Sequence, residues 1–306
     1  MRHLFAAILF APLFTASADD ATLAASYQPA DTEAGSVVFR DARKSLALGA
    51  HASLWAIPYL GADGQVANGD VSDAMGFRAR RAGLAVNMRL GTDVEFYMNL
   101  NPLDEQILGD LRLRWLPKKN MAFGVGVAQV PYSRSTSQSS SSMRFMDKPM
   151  ASLEAAIGER LGLTAEGHYY GGKLGYVLGV FNGGEDLTTN HGGLAFGGRI
   201  ESAPMGKLAD LVPKALRVRL GVGGVHEDGP SVNTLALSGD LTVEMACVRL
   251  FVEFTQDQRD PDAVPQLAPT LNGSVARQVL IAELTGFVWK HKLELVGRFE
   301  QYDNNR

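Results

Sequence analysis

Residues 234–257 read TLALSGDLTVEMACVRLFVEFTQD. Leu235, Leu237, Leu241, Val243 and Met245 fall on odd positions, and Thr234, Ser238, Asp240, Thr242 and Glu244 on even ones. A period of two places those sets on opposite faces of a β-strand. Past Ala246 the parity reverses. Val248, Leu250, Val252 and Phe254 are now even, and Arg249 and Glu253 odd. A tight turn near Ala246 accounts for the reversal, so the stretch predicts a hairpin whose strands each carry one greasy and one charged face.

The pattern extends outward in both directions. In 216–223, Leu216, Val218, Leu220 and Val222 oppose Arg217, Arg219, Gly221 and Gly223. Leu194, Phe196 and Ile200 oppose Arg199 and Glu201, and Val94, Phe96, Met98 and Leu100 oppose Glu95 and Asn99. About thirteen such segments are readable, the first at 46–58 and the last at 291–302. They run nearer ten residues than the usual ~5–6, the length a tilted membrane-crossing strand needs. Short connections (91–93, 117–120, 170–172 and Ala246) alternate with longer polar ones (59–76, 102–108, 131–157, 183–191, 226–232 and 257–274). Short turns at one end and long loops at the other are the layout of a transmembrane antiparallel β-barrel, and all-β is the expected class. A soluble periplasmic β-protein would alternate too, but with shorter strands. The best helical candidate is 206–212, GKLADLV.

Composition agrees. The chain has 306 residues, a formal charge of −4 and 33 glycines, with no Gly-x-y period. An acidic balance argues against general nucleic-acid binding. Residues 1–18 have the form of a signal peptide: Met1-Arg2-His3, the apolar run 4–14, then Ala16-Ser17-Ala18. That run is too short to span a bilayer. Loss of Arg2 with the leader makes the chain one unit more negative. Residues 19–45 are expected as an N-terminal periplasmic segment and 46–306 as the barrel. The single cysteine, Cys247, excludes an internal disulfide and a cysteine-based zinc site, and is expected to pack as a small apolar residue at its turn. His51, His168, His191, His226 and His291 are scattered, with no HExxH or GxSxG spacing. No enzyme, cofactor or metal is expected.

Three stretches resemble the phosphate-selective porin O/P family, outer-membrane channels of Gram-negative bacteria. They are GFRARRAGLAVNMRLGTDVEFYMNL (76–100), VGVAQVPYSRSTSQSSSSMRFMDKPMAS (125–152) and GKLGYVLGVFNGGED (172–186); LELVGRFEQYDNN (293–305) resembles a late strand. The resemblance implies a porin in the cell outer membrane, surrounded by lipid. It also implies passive diffusion of small hydrophilic solutes, with anions such as phosphate preferred, a homotrimer, and loop 131–157 narrowing the pore. The family has sixteen strands, so the shorter series reads as a C-terminally truncated porin or as a short barrel closed by 36–43. A non-channel structural or binding barrel is the alternative function.

Candidate pore-lining and anion-binding residues follow from parity and from the loop. Arg81, Arg89, Arg112, Arg114, Arg217 and Arg219 fall on the polar faces, as do Arg199 and Arg249; Arg78 and Arg80 have rim parity. In the loop, Arg134, Ser135, Arg144 and Lys148 lie in a hydroxyl-rich run. Guanidinium groups bind oxyanions in a bidentate fashion and serine hydroxyls add donors. A flexible solvent-facing serine loop is the plainer reading. Glu95, Asp240, Glu244, Glu253, Glu294 and Glu300 share the inward parity, so charge pairing within the lumen competes with anion attraction. Trp55, Tyr59, Trp115, Tyr132, Tyr169, Tyr170, Trp289 and Tyr302 are candidates for interfacial girdles.

Overall fold

The computed structural model describes residues 36–41, 44–57, 76–103, 107–118, 120–137, 149, 157–170, 173–183, 193–202, 216–229, 232–245, 247–261, 274–289 and 293–303. They form fourteen strands in one sheet. The first seven are β1 (Ser36–Asp41), β2 (Lys44–Ile57), β3 (Gly76–Leu90), β4 (Val94–Leu100), β5 (Leu108–Lys118), β6 (Met121–Gln129) and β7 (Glu159–Tyr169). The rest are β8 (Leu174–Asn182), β9 (Leu194–Ser202), β10 (Leu216–Asp228), β11 (Val232–Met245), β12 (Val248–Pro261), β13 (Val275–Trp289) and β14 (Leu293–Asp303). One helical turn, α1 (Arg134–Ser137), follows β6.

Strand order follows chain order without a crossover, and every neighbouring pair is antiparallel. The thirteen expected segments coincide with β2 to β14. The additional strand is β1, so pairing begins at Ser36, ahead of the expected boundary at residue 46. Its partner is β2; among the described residues no ladder joins β1 to β14. The parity reversal at Ala246 is the β11–β12 hairpin, with Met245 paired to Val248. The Gly91 turn between β3 and β4 has φ 69°, a conformation glycine adopts without steric cost. The long polar connection expected at 226–232 is shorter, because β10 runs on to Asp228 and β11 starts at Val232. Residues 206–212 and the signal peptide lie outside the described residues.

The sheet is inside out relative to a soluble protein. Leu163, Leu178, Phe196, Val222, Leu237, Leu284 and Phe299 are exposed, whereas Arg112, Arg160, Arg199, Glu227, Asp240, Glu253 and Asp257 are buried. Exposed carboxylates and buried leucines would be the ordinary outcome in water. Here the charged groups are withdrawn into an interior where they pair, and the apolar faces form the outer surface. The wall is curved, since Arg160 on β7 meets Glu227 on β10 at 3.5 Å, although three strand spacings in a flat sheet are ~14 Å.

The interior face is not uniformly polar. Ala128, Val130, Tyr132, Ile157, Phe181, Ala195, Val225 and Ala236 form a dry cluster, and Phe251, Val279 and Ile281 a second. The first forms where the chain leaving β6 turns inward. Tyr132 is fully buried there, so it is not a girdle aromatic. Trp115 stacks on Phe123 outside, with ring centres 5.9 Å apart, and Tyr169 on Tyr176 at 5.3 Å. Both pairs lie toward the short-turn end, as a girdle requires. Cys247 is exposed at its turn instead of packed. A two-residue connection leaves no second layer to cover it.

Candidate pore lining and the lumen loop

The segment after β6 does not leave the sheet into solvent. Val130, Pro131, Tyr132 and Ser133 are buried against the inner faces of β9 and β10. Two glycines on that wall make room. A Cβ on Gly223 would lie 2.1 Å from the Tyr132 carbonyl oxygen. One on Gly221 would lie 2.1 Å from the Arg199 guanidinium and 2.5 Å from the Asp240 carboxylate. Their glycine identity therefore lets the loop backbone and an ion pair lie directly on the strand.

The α1 turn is then fixed by a carboxylate from β12. The backbone N–H groups of Arg134 and Ser135 donate to Glu253 at 3.0 and 2.9 Å, and Ser238 Oγ donates to it at 2.8 Å. Thr255 Oγ1 donates in turn to Ser238 at 3.2 Å. Within the loop, Ser137 Oγ donates to the Ser133 carbonyl at 2.7 Å. Ser135 therefore has its backbone N–H on Glu253 and its side chain beside Ser133.

Above this anchor is an arginine group. Arg199 pairs with Asp240, stands 3.6 Å from Glu201 and donates to the Tyr132 carbonyl at 3.5 Å. Arg134 Nη1 lies 3.8 Å from Glu201, too far for a hydrogen bond, and has no hydrogen-bond partner among the described residues. Burial and the charge of neighbouring Arg219 make Arg134 a weaker base than an ordinary arginine, against the opposing pull of Glu201 and Asp240. Arg219 has no ion pair or hydrogen bond among the described residues. Arg217 likewise has none, and it is exposed.

Arg112, Arg114 and Arg89 are neutralised. Arg112 makes a fork with Asp110, at 2.7 and 2.6 Å, and lies over the Tyr97 ring. Arg114 bridges Glu95, at 2.7 Å, and Glu166. Arg89 reaches Glu95 at 3.3 Å and is half exposed. The side chains of Arg78, Arg80 and Arg81, together with Arg144 and Lys148, lie outside the described residues, as do those of Trp55, Tyr59 and Trp289. Parity alone thus locates the inward arginines without separating paired from unpaired ones.

Sequence reasoning missed the anchor. Glu253 was legible as inward-facing, but not as the acceptor for a loop more than a hundred residues away in the chain. It also missed the buried Arg277–Asp257 pair on β12 and β13 and the Arg160–Glu227 pair. The available signal was Gly221 and Gly223 at lumen parity, since adjacent inward glycines mark a close approach by something else.

An antiparallel sheet with charged groups inside and aliphatics outside defines an outer-membrane β-barrel of the porin class. The model of the family described as phosphate-selective porin O and P matches residues 60–232, and the chain belongs to that family. Its place is the outer membrane, in contact with lipid. Among solved structures, the anion-selective porin from Comamonas acidovorans superimposes with a TM-score of 0.51 at 11% identity, covering 85% of this chain and 79% of that one. Pseudomonas aeruginosa OpdK with vanillate gives 0.45 at 11% identity, covering 87% and 85%. In-vitro folded OmpT of Vibrio cholerae gives 0.42 at 9%, covering 88% and 89%. No curated protein matches by sequence.

Proposed function

We propose that this porin is a water-filled channel for small anionic solutes, with phosphate-like oxyanions as the class that its lumen suits. The observation carrying the reading is the pairing imbalance in the lumen. Arg112, Arg114 and Arg199 each hold a carboxylate at hydrogen-bond distance, whereas Arg134 stands 3.8 Å from Glu201 and Arg219 has no ion pair among the described residues. A guanidinium held only loosely by its carboxylate attracts an anion, which supplies the acceptor it lacks. The buried course of residues 130–137 supports a narrowing by loop 131–157, which would bring permeating ions close to these groups. Passage is diffusive, with no covalent step. The anion selectivity of the Comamonas porin and the description of the family point the same way. A homotrimer is the assembly we infer from the family resemblance.

The test is reversal potential in planar bilayers under a potassium chloride gradient. The wild type is expected to favour chloride, and Arg134→Ala with Arg219→Ala to lose most of that preference. Arg134→Ala with Arg144→Ala tests the loop's own contribution in the same way. A wild-type channel that prefers potassium, or variants with an unchanged reversal potential, would contradict the reading.

A further inference from the structure

We infer that Glu253 is the positioning residue of the pore, holding α1 against the wall so that the Arg134 guanidinium stays 3.8 Å from Glu201 on the inner face of β9. The inference rests on the channel reading above and deepens it. Glu253 and Asp240 are cross-strand partners, both inward and both buried. Like charges directly opposite each other are ordinarily destabilising. The two acids have divided their partners. Asp240 takes the Arg199 guanidinium. Glu253 has no ion pair among the described residues, and its charge is met by two backbone N–H groups and the Ser238 hydroxyl. A buried carboxylate satisfied wholly by neutral donors depends on all of them. Two of those donors belong to the loop, one from each of its oxygens, so the contact fixes both the position and the rotation of the α1 backbone. The opposite side of the loop rests on Gly223 of β10 and on Gly197 of β9, where a Cβ would lie 2.6 Å from Val130 Cγ1. The segment is thus held between an acidic anchor and a glycine track. Arg134 is the first residue of the anchored turn, and its side chain inherits that placement.

The experiment uses Glu253→Gln in the full-length protein, with single-channel recording and reversal potential in potassium chloride. The amide keeps one acceptor and turns donors toward the Arg134 or Ser135 N–H. Loop release predicts loss of the single wild-type conductance level, more open-channel noise and a fall in chloride preference. The sign is diagnostic. Mere removal of a negative charge would raise chloride preference. In an Arg134→Ala background the fall should vanish, because the charge being positioned is gone. Ser238→Ala, which leaves the carboxylate intact, should give a smaller shift in the same direction; it decides the matter if Glu253→Gln does not fold. Wild-type conductance and reversal potential in both variants, or a rise in chloride preference, would overturn the inference. A wild type that fails to conduct would instead overturn the channel reading.

Discussion

Replacing Arg199 with methionine removes the cation that, among the described residues, pairs with Asp240 and also reaches Glu201 and the loop carbonyl of Tyr132. The Asp240 carboxylate is fully buried and the Arg199 side chain is 5% exposed. Taking one partner from such a pair leaves an uncompensated charge, at a cost of about 3–5 kcal/mol in a dry interior. A wet lumen offers some rehydration, so the lower end, about 3 kcal/mol, is the expectation. Glu253 lies directly across the ladder from Asp240, and the two like charges then face each other without a cation between them. The assay is urea unfolding from liposomes, followed by tryptophan fluorescence and the mobility shift of unheated samples in gels. A double-mutant cycle with Asp240→Asn isolates the pair, and the double variant should recover much of the loss, with a coupling of about 1–3 kcal/mol. A loss below about 1 kcal/mol for Arg199→Met would show that water already screens the pair as it does at a surface, refuting its description as buried.

Other perturbations probe other parts of the wall. Leu237→Arg places a guanidinium on the outer face of β11 and should cost about 2–4 kcal/mol of folding free energy in lipid; an undiminished urea midpoint in liposomes would argue against lipid contact there. Arg277→Met leaves buried Asp257 with Arg259 and should cost about 3 kcal/mol by the same titration. Arg259→Met, a third exposed at a 3.3 Å contact, should cost under about 1 kcal/mol; equal losses would refute the distinction. Cys247 should react with a membrane-impermeant maleimide in permeabilised cells and not in intact ones. Short turns face the periplasm in this architecture, so labelling of intact cells would reverse the orientation.

The wall was legible because a two-residue period tolerates little ambiguity once one face must be greasy. Leu235, Leu237 and Leu241 against Thr234, Ser238 and Asp240 fix the register of β11, and the reversal at Ala246 fixes its hairpin. From sequence, β1 reads only as a closing segment at 36–43. Val37 and Val38 give just a few residues of pattern, and its six-residue length lies below the ten-residue segments that defined the others. The loop was less legible. Its serine run looks like a solvated linker by composition, and the residues that draw it inward, Val130, Pro131 and Tyr132, precede that run. Their burial depends on Gly197 and Gly223 and on Glu253, brought together by curvature of the sheet. Pairing within the lumen has the same origin. Parity places Arg114 and Arg219 alike, but Glu95 on β4 and Glu166 on β7 neutralise the first, and among the described residues no carboxylate pairs with the second.

The apolar faces of the wall meet lipid and the charged faces meet water. Spin labels placed singly along 217–222 of β10, in a Cys247→Ser background in liposomes, report it directly through collision with oxygen and with a neutral nickel chelate. Positions 218, 220 and 222 should favour oxygen, and 217, 219 and 221 the chelate, alternating residue by residue. Shielding of 220 and 222 from both reagents would mean those side chains pack into a dry protein core, contradicting the account.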